Sequence, residues 1–118
     1  MNGVVGKLTE KKFTDMVMKL ASLCGWRTLH LRPGLNRRGK WQTAVQGDGA
    51  GFPDLLLLKG PWQIAAELKV DKNESRPEQT AWLEAFAETG AFSYCWRPEM
   101  WNEIEAVLRD GPTGGNVP

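Results

Sequence analysis

The chain has 118 residues, 42% of them hydrophobic and 25% charged, with a formal net charge of +1. That length suits one domain with one core, no apolar run is long enough to span a membrane, and "MNGVVGKLTEKK" lacks the apolar centre of a signal peptide. These features read as a soluble, cytoplasmic protein rather than a secreted or membrane-embedded one.

Charge is unevenly spread. Arg27, Arg32, Arg37, Arg38 and Lys40 fall in the window 27–47 with no acid among them. The whole chain holds 15 Lys and Arg against 14 Asp and Glu, so everything outside that window is net acidic. The window is a local positive patch. Cys24 and Cys95 each sit in an apolar pattern without zinc-ligand spacing and are read as buried free thiols.

In chain order, residues 9–24 read as a helix, with Phe13, Met16, Val17, Leu20, Ala21 and Cys24 at helical spacing. Thr9 is the expected N-cap and Gly25 the stop. Glu10 shares the apolar stripe at its first turn, where a charge calls for a partner. Residues 26–32 ("WRTLHLR") read as a strand. The glycine-rich stretch 33–52 reads as a long loop, a length that usually carries function. Two strands follow at 54–58 and 63–70, joined through "KGPW". A second helix spans 76–89, with Ser75 and Glu78 as a capping box, Pro77 in its first turn and Gly90 at its end. A strand at 91–96 and a helix at 98–108, with Trp101, Ile104 and Leu108 on one face, complete the order. Residues 111–118 read as a flexible tail. The 63–70 strand, the helix and the 91–96 strand form a βαβ unit, which implies a parallel pair. Coverage on both sheet faces would explain the four leucines of "DLLLL".

The chemistry lies in "GFPDLLLLKGPWQIAAELKV". If 54–58 and 63–70 form an antiparallel hairpin with Leu58 facing Gln63, four steps bring Asp54 opposite Glu67. Cross-strand neighbours have Cβ atoms about 5 Å apart. Lys69 shares the Glu67 face because side chains alternate, and a one-residue slip would separate the set. Two carboxylates that close repel, and one takes up a proton unless a cation lies between them. Hard oxygen ligands favour Mg2+, with Mn2+ as a substitute. Glu10 would add a third carboxylate through a metal-bound water. Lys69 would activate the attacking water or neutralise charge developing on a phosphate. The bland alternative is a buried Glu–Lys pair that satisfies itself.

With "TEKKF", "GWRTLHLR", "GFPDLLLL", "AELKV", "PEQTAWLEAF" and "WRPEMWNEIEAVL" in this order, residues 8–109 resemble the PD-(D/E)XK nuclease superfamily. Within it the chain is similar to a stand-alone VRR-NUC (virus-type replication-repair nuclease) domain. The resemblance implies an α/β fold with a restriction-endonuclease-like αβββαβ core, a mixed four-stranded sheet flanked by helices, and a C-terminal helix. Residues 1–110 would form the nuclease domain. It implies Asp54 and Glu67 as metal ligands with the Leu68 backbone carbonyl, Lys69 as the catalytic lysine, Glu10 as the acidic helix residue, and a role for Gln79. Gln79 also lies at helical spacing from Leu83 and Phe86, so a helix-end hydrogen bond is its other reading.

His30 resembles a recurrent family histidine, to be weighed as a phosphate contact or a structural residue. Trp41, beside Arg37, Arg38 and Lys40, is suited either to stacking on an unpaired base or to packing the loop down. Arg32 and these three basic residues would contact phosphates. Asp48 reads as a turn former. The expected activity is Mg2+-dependent DNA endonuclease, structure-specific for branched DNA such as four-way junctions, in a bacterial cytoplasm or at its nucleoid. Two cuts per junction favour a homodimer. The alternatives are a non-catalytic DNA-binding module and a sequence-specific restriction-type cutter.

Overall fold

The computed structural model describes residues 8–31 and 49–115, and residues 34, 35, 41 and 42 by their backbone. Helix α1 (Glu10–Leu23) starts where expected, because the Thr9 hydroxyl accepts the Lys12 amide at 3.1 Å. Strand β1 (Arg27–His30) follows. The stretch expected to be loop holds two short strands, β2 (Gly34–Leu35) and β3 (Trp41–Gln42), paired antiparallel. Two-residue strands leave too little periodicity to be read in a glycine-rich sequence. Next come β4 (Leu55–Lys59), β5 (Trp62–Leu68), α2 (Pro77–Glu88) and β6 (Phe92–Trp96). A 3-10 turn at Pro98–Met100 leads into α3 (Trp101–Asp110).

The main sheet has the order β1-β4-β5-β6. β1, β4 and β5 run antiparallel in sequence, and β6 lies parallel to β5, joined to it through α2. The chain is thus an α/β protein with a mixed four-stranded sheet flanked by helices. The β4–β5 hairpin is one pair longer than expected. Lys59 faces Trp62, so the turn is only Gly60 and Pro61. Gly60 takes φ +55° at the first turn position, where two-residue hairpin loops favour glycine.

Two cores sit on the two sheet faces. Phe13, Val17 and Ala21 of α1 and Ile104 and Leu108 of α3 pack on Leu55, Leu57, Ile64, Ala66 and Leu68. On the other face Leu83 of α2 packs on Ala65 and Cys95. The Trp26 indole ties the first layer together by donating to the Leu108 carbonyl at 2.9 Å. Lys59 closes the C-terminal end of α1 by donating to the Cys24 carbonyl at 2.6 Å, where a cation also opposes the helix dipole.

Several expectations need correction. α1 turns a slightly different face inward: Thr14 is buried, its hydroxyl donating to the Glu10 carbonyl at 2.8 Å, while Met16 is 43% exposed. Helical spacing alone cannot separate two stripes one residue apart. The leucines of β4 are not buried on both faces. Leu55 and Leu57 are fully buried, but Leu58 is 49% exposed, because α2 packs mainly on β5 and β6. Cys95 is buried and Cys24 only half-buried, at the end of its helix. The start of α2 is capped one residue later than expected. Pro77 takes the first helical position, so Arg76 is the N-cap, and its amide donates to Gln79 Oε1 at 2.8 Å. Ser75 instead lies 3.6 Å from the Cys95 sulfur. Just beyond α3, Pro112 is buried and Tyr94 donates to the Thr113 carbonyl at 3.4 Å, while residues 113–115 are exposed. Among the described residues no helix is long and apolar enough to cross a membrane.

Candidate active site

The hairpin register brings the candidate carboxylates together. Leu55 faces Ala66, so one further step sets Asp54 across from Glu67. Asp54 sits in the bend just before β4, and its Oδ2 accepts the Leu68 amide at 2.8 Å. That bond fixes the carboxylate against the end of β5. It uses the amide of Leu68, a partner the sequence does not reveal, because only the folded register puts an aspartate beside that particular N–H.

Glu67 is 1% exposed, and neither of its carboxylate oxygens has a hydrogen-bond partner among the described residues. The Lys69 ammonium stands 3.7 Å from Glu67 Oε2 and is itself largely covered. At that distance it is an ion-pair partner, not a hydrogen-bond donor. A buried carboxylate without hydrogen bonds is costly, and the Glu67 pKa is pushed up to about 8. Burial is the main cause and the neighbouring Asp54 carboxyl the next; Lys69 opposes both. The result is electrostatic frustration at one spot: two carboxyls, one desolvated, and one cation too few.

A raised carboxyl pKa means that the folded chain binds its proton more tightly than the unfolded chain does. Its contribution to stability is full below the ordinary glutamate range and is lost as pH rises from there through about 8. In metal-free buffer, urea unfolding at pH 5.5 and pH 8.5 should therefore show lower stability at the higher pH from this group. Glu67→Gln should flatten that difference and stabilise the chain at pH 8.5. An equal pH dependence in parent and variant would mean that Glu67 titrates normally.

Glu10 joins the group from α1. Much of its surface stays in solvent, contrary to the inward aim expected of it, because the buried stripe of α1 begins at Phe13 and Thr14. Its carboxyl pKa is nonetheless raised, first by partial burial and then by Asp54, while Lys69 and His30 pull it down. Glu10, Asp54, Lys69 and His30 thus share one electrostatic neighbourhood. His30 enters it at the end of β1, half-buried and paired with Leu55. The next residue, Leu31, donates its amide to the Asp54 carbonyl at 3.3 Å. Gln79 is buried at 8% exposure, and its Oε1 accepts the amide that caps α2.

Among the described residues, no group of three or more His, Cys, Asp or Glu side chains is gathered closely enough to hold a metal ion alone. Glu10 therefore does not close a cage with Asp54 and Glu67. Arg32, Arg37, Arg38, Lys40 and Asp48, and the side chain of Trp41, lie outside the described residues. Two surface grooves, of about 320 Å³ beside Tyr94 and Glu103 and about 390 Å³ beside Leu29 and Leu58, include none of the candidate residues.

No family model matches this chain, and no curated protein and no solved structure matches it.

Proposed function

We propose that this chain is a metal-dependent DNA endonuclease of the VRR-NUC type, with the restriction-endonuclease-like core that type implies. The observation that carries the proposal is Glu67: a fully buried carboxylate with neither oxygen hydrogen-bonded among the described residues, across the hairpin from a second carboxylate that is held in place. One ammonium, Lys69, faces the two carboxyls, and a divalent cation would supply the further positive charge.

The donor set fits magnesium. That ion takes one or two carboxylates and fills its remaining positions with waters and substrate phosphate oxygens. Two carboxylates without a third close ligand are the arrangement such a site requires, with the Leu68 carbonyl available at the same strand end. Manganese accepts the same hard donors. Bound there, the ion would acidify a water and polarise the scissile phosphate.

The chain's own residues supply the rest. The Leu68 amide keeps Asp54 from swinging away as charge accumulates. Lys69, beside Glu67 and largely shielded from solvent, would meet negative charge developing on the phosphate, where a desolvated cation counts for more than in water. Glu10, in the same electrostatic neighbourhood but more open, is suited to orient a water at the rim. Gln79 would offer its amide NH2 to the same end of the sheet. His30 and the basic residues Arg32, Arg37, Arg38 and Lys40 would hold the DNA backbone, with Trp41 placed to stack on an unpaired base.

Branched DNA is the proposed substrate, and a homodimer the proposed form, since a four-way junction needs two cuts from molecules that each carry one site. The direct test is a panel of labelled four-way junctions, flaps, nicked and linear duplexes, incubated with magnesium or with chelator. Cleavage of branched forms only with magnesium is expected. If the parent binds these DNAs and cuts none of them, the chain is a non-catalytic binding module.

Alanine at Arg37, Arg38 and Lys40 should weaken DNA binding and reduce the slope of log affinity against log salt by about one for each phosphate no longer neutralised. Binding measured at two salt concentrations checks this. An unchanged slope would make the patch a solvated loop.

A further inference from the structure

Asp54 is useful only if it stays opposite Glu67, yet it lies outside the strand, in a bend with ladder hydrogen bonds on one side only. The segment just before it is clamped to α2. Trp82 donates its indole N–H to the Ala50 carbonyl at 3.1 Å. Gly51 takes φ +81° and passes so close to the first turn of α2 that a Cβ there would lie 2.6 Å from the Glu78 carbonyl carbon and 2.8 Å from the Gln79 nitrogen. Phe52 packs edge-on against Trp82, with ring centroids 4.8 Å apart, and against Phe86 at 5.9 Å. Pro53 is buried, and Asp54 follows directly.

From this geometry we infer that Trp82 and Gly51 are positioning residues for Asp54. They latch the 50–53 segment onto α2 and so hold the Asp54 carboxylate against the Leu68 amide, where it faces Glu67. The inference rests on the proposed role of Asp54 for its functional meaning, though the latch itself is a matter of geometry. α2 crosses from β5 to β6, so anchoring the segment there ties Asp54 to the half of the sheet that carries Glu67. Without the latch, the bend would rest on β4, on the Leu31 amide to Asp54 carbonyl bond and on the Leu68 amide to Asp54 carboxylate bond that the latch is to support. Residues that orient a metal ligand typically change metal affinity by 10- to 100-fold when altered.

Two substitutions open the latch by different routes. Trp82→Phe keeps an aromatic ring in the cluster while removing the N–H donor and part of the indole. Gly51→Ala forces the segment off the helix. Lys59→Met, at the opposite end of β4, serves as a control that loosens the fold elsewhere. Each protein is followed by amide hydrogen exchange at Leu68, with the Ile64 amide in the centre of β5 as the reference for global opening. Manganese affinity is measured by calorimetry on the metal alone. Both latch variants should speed Leu68 exchange relative to Ile64 and weaken manganese binding by about tenfold or more. The Lys59 control should change the two amides together and leave manganese affinity as it was.

If Leu68 and Ile64 respond in step in Trp82→Phe, or if manganese affinity stays within about twofold of the parent in a protein whose Leu68 amide has been freed, the latch does not position Asp54. A parent chain that binds no manganese overturns the proposed function instead, and the exchange comparison still decides the latch.

Discussion

Asp54→Asn is expected to abolish manganese binding and to lower DNA cleavage by about a thousandfold or more, while the fold and DNA binding persist. The substitution keeps the shape of the side chain, and an amide oxygen can still accept the Leu68 N–H that Asp54 Oδ2 accepts at 2.8 Å. What disappears is the second negative charge beside Glu67. That loss acts in opposite directions on two measurable quantities. Metal affinity falls, because a single carboxylate is left to attract the ion. Stability without metal does not fall from this cause, because the Asp54 carboxyl is one of the groups that push the Glu67 pKa upward. Calorimetry with manganese, a thermal melt and a cleavage assay on one preparation separate these effects. A folded Asp54→Asn protein with the parent's manganese affinity would remove Asp54 from the site.

Lys69→Ala should retain DNA binding and lose cleavage on the order of a hundredfold or more, because it removes the cation set to face the transition-state charge. Lys69 has a second effect that the experiment has to separate. Its ammonium stands 3.7 Å from Glu67 Oε2 and draws the Glu67 pKa down, so removing it raises that pKa further. At neutral pH the variant would then bind metal more weakly simply because Glu67 holds its proton more tightly than in the parent. Comparing neutral pH with a pH well above 8 resolves the two. The metal-binding defect should shrink as Glu67 ionises, and the catalytic defect should remain. Lys69→Met keeps much of the side-chain length without the charge and controls for packing. Single-turnover cleavage of a four-way junction by parent, alanine and methionine forms decides the matter. If all three cut alike, Lys69 is only the ion-pair partner of Glu67.

The pairing of Asp54 with Glu67 was legible in the sequence for a physical reason. A hairpin with a short turn has few registers, "KGPW" marks the turn, and period-two alternation then sets which side chains share a face. The observed Leu58–Gln63 pair is the one those rules select. The βαβ unit was legible in the same way, since capping and stop residues bracket α2 between two apolar runs, and β5 and β6 pair in parallel. These are local patterns, carried by neighbours within a few residues along the chain.

Other features depend on groups far apart in sequence, and no local pattern carries them. Glu67 looks like any glutamate in an apolar strand. Its desolvation comes from β6 and α2 closing over β5, with Cys95 beside it on the parallel neighbour and no hydrogen-bond donor among the described residues reaching its oxygens. The pairing of Leu68 with Asp54, the anchoring of residues 50–53 on α2, and the rotation of α1 that buries Thr14 and leaves Glu10 at the rim likewise follow from how the elements pack. The sequence by itself determined which charged residues belong together, because strand register is a local rule. Only the tertiary structure decided which of them loses its water, because desolvation is set by whatever the rest of the chain places on top.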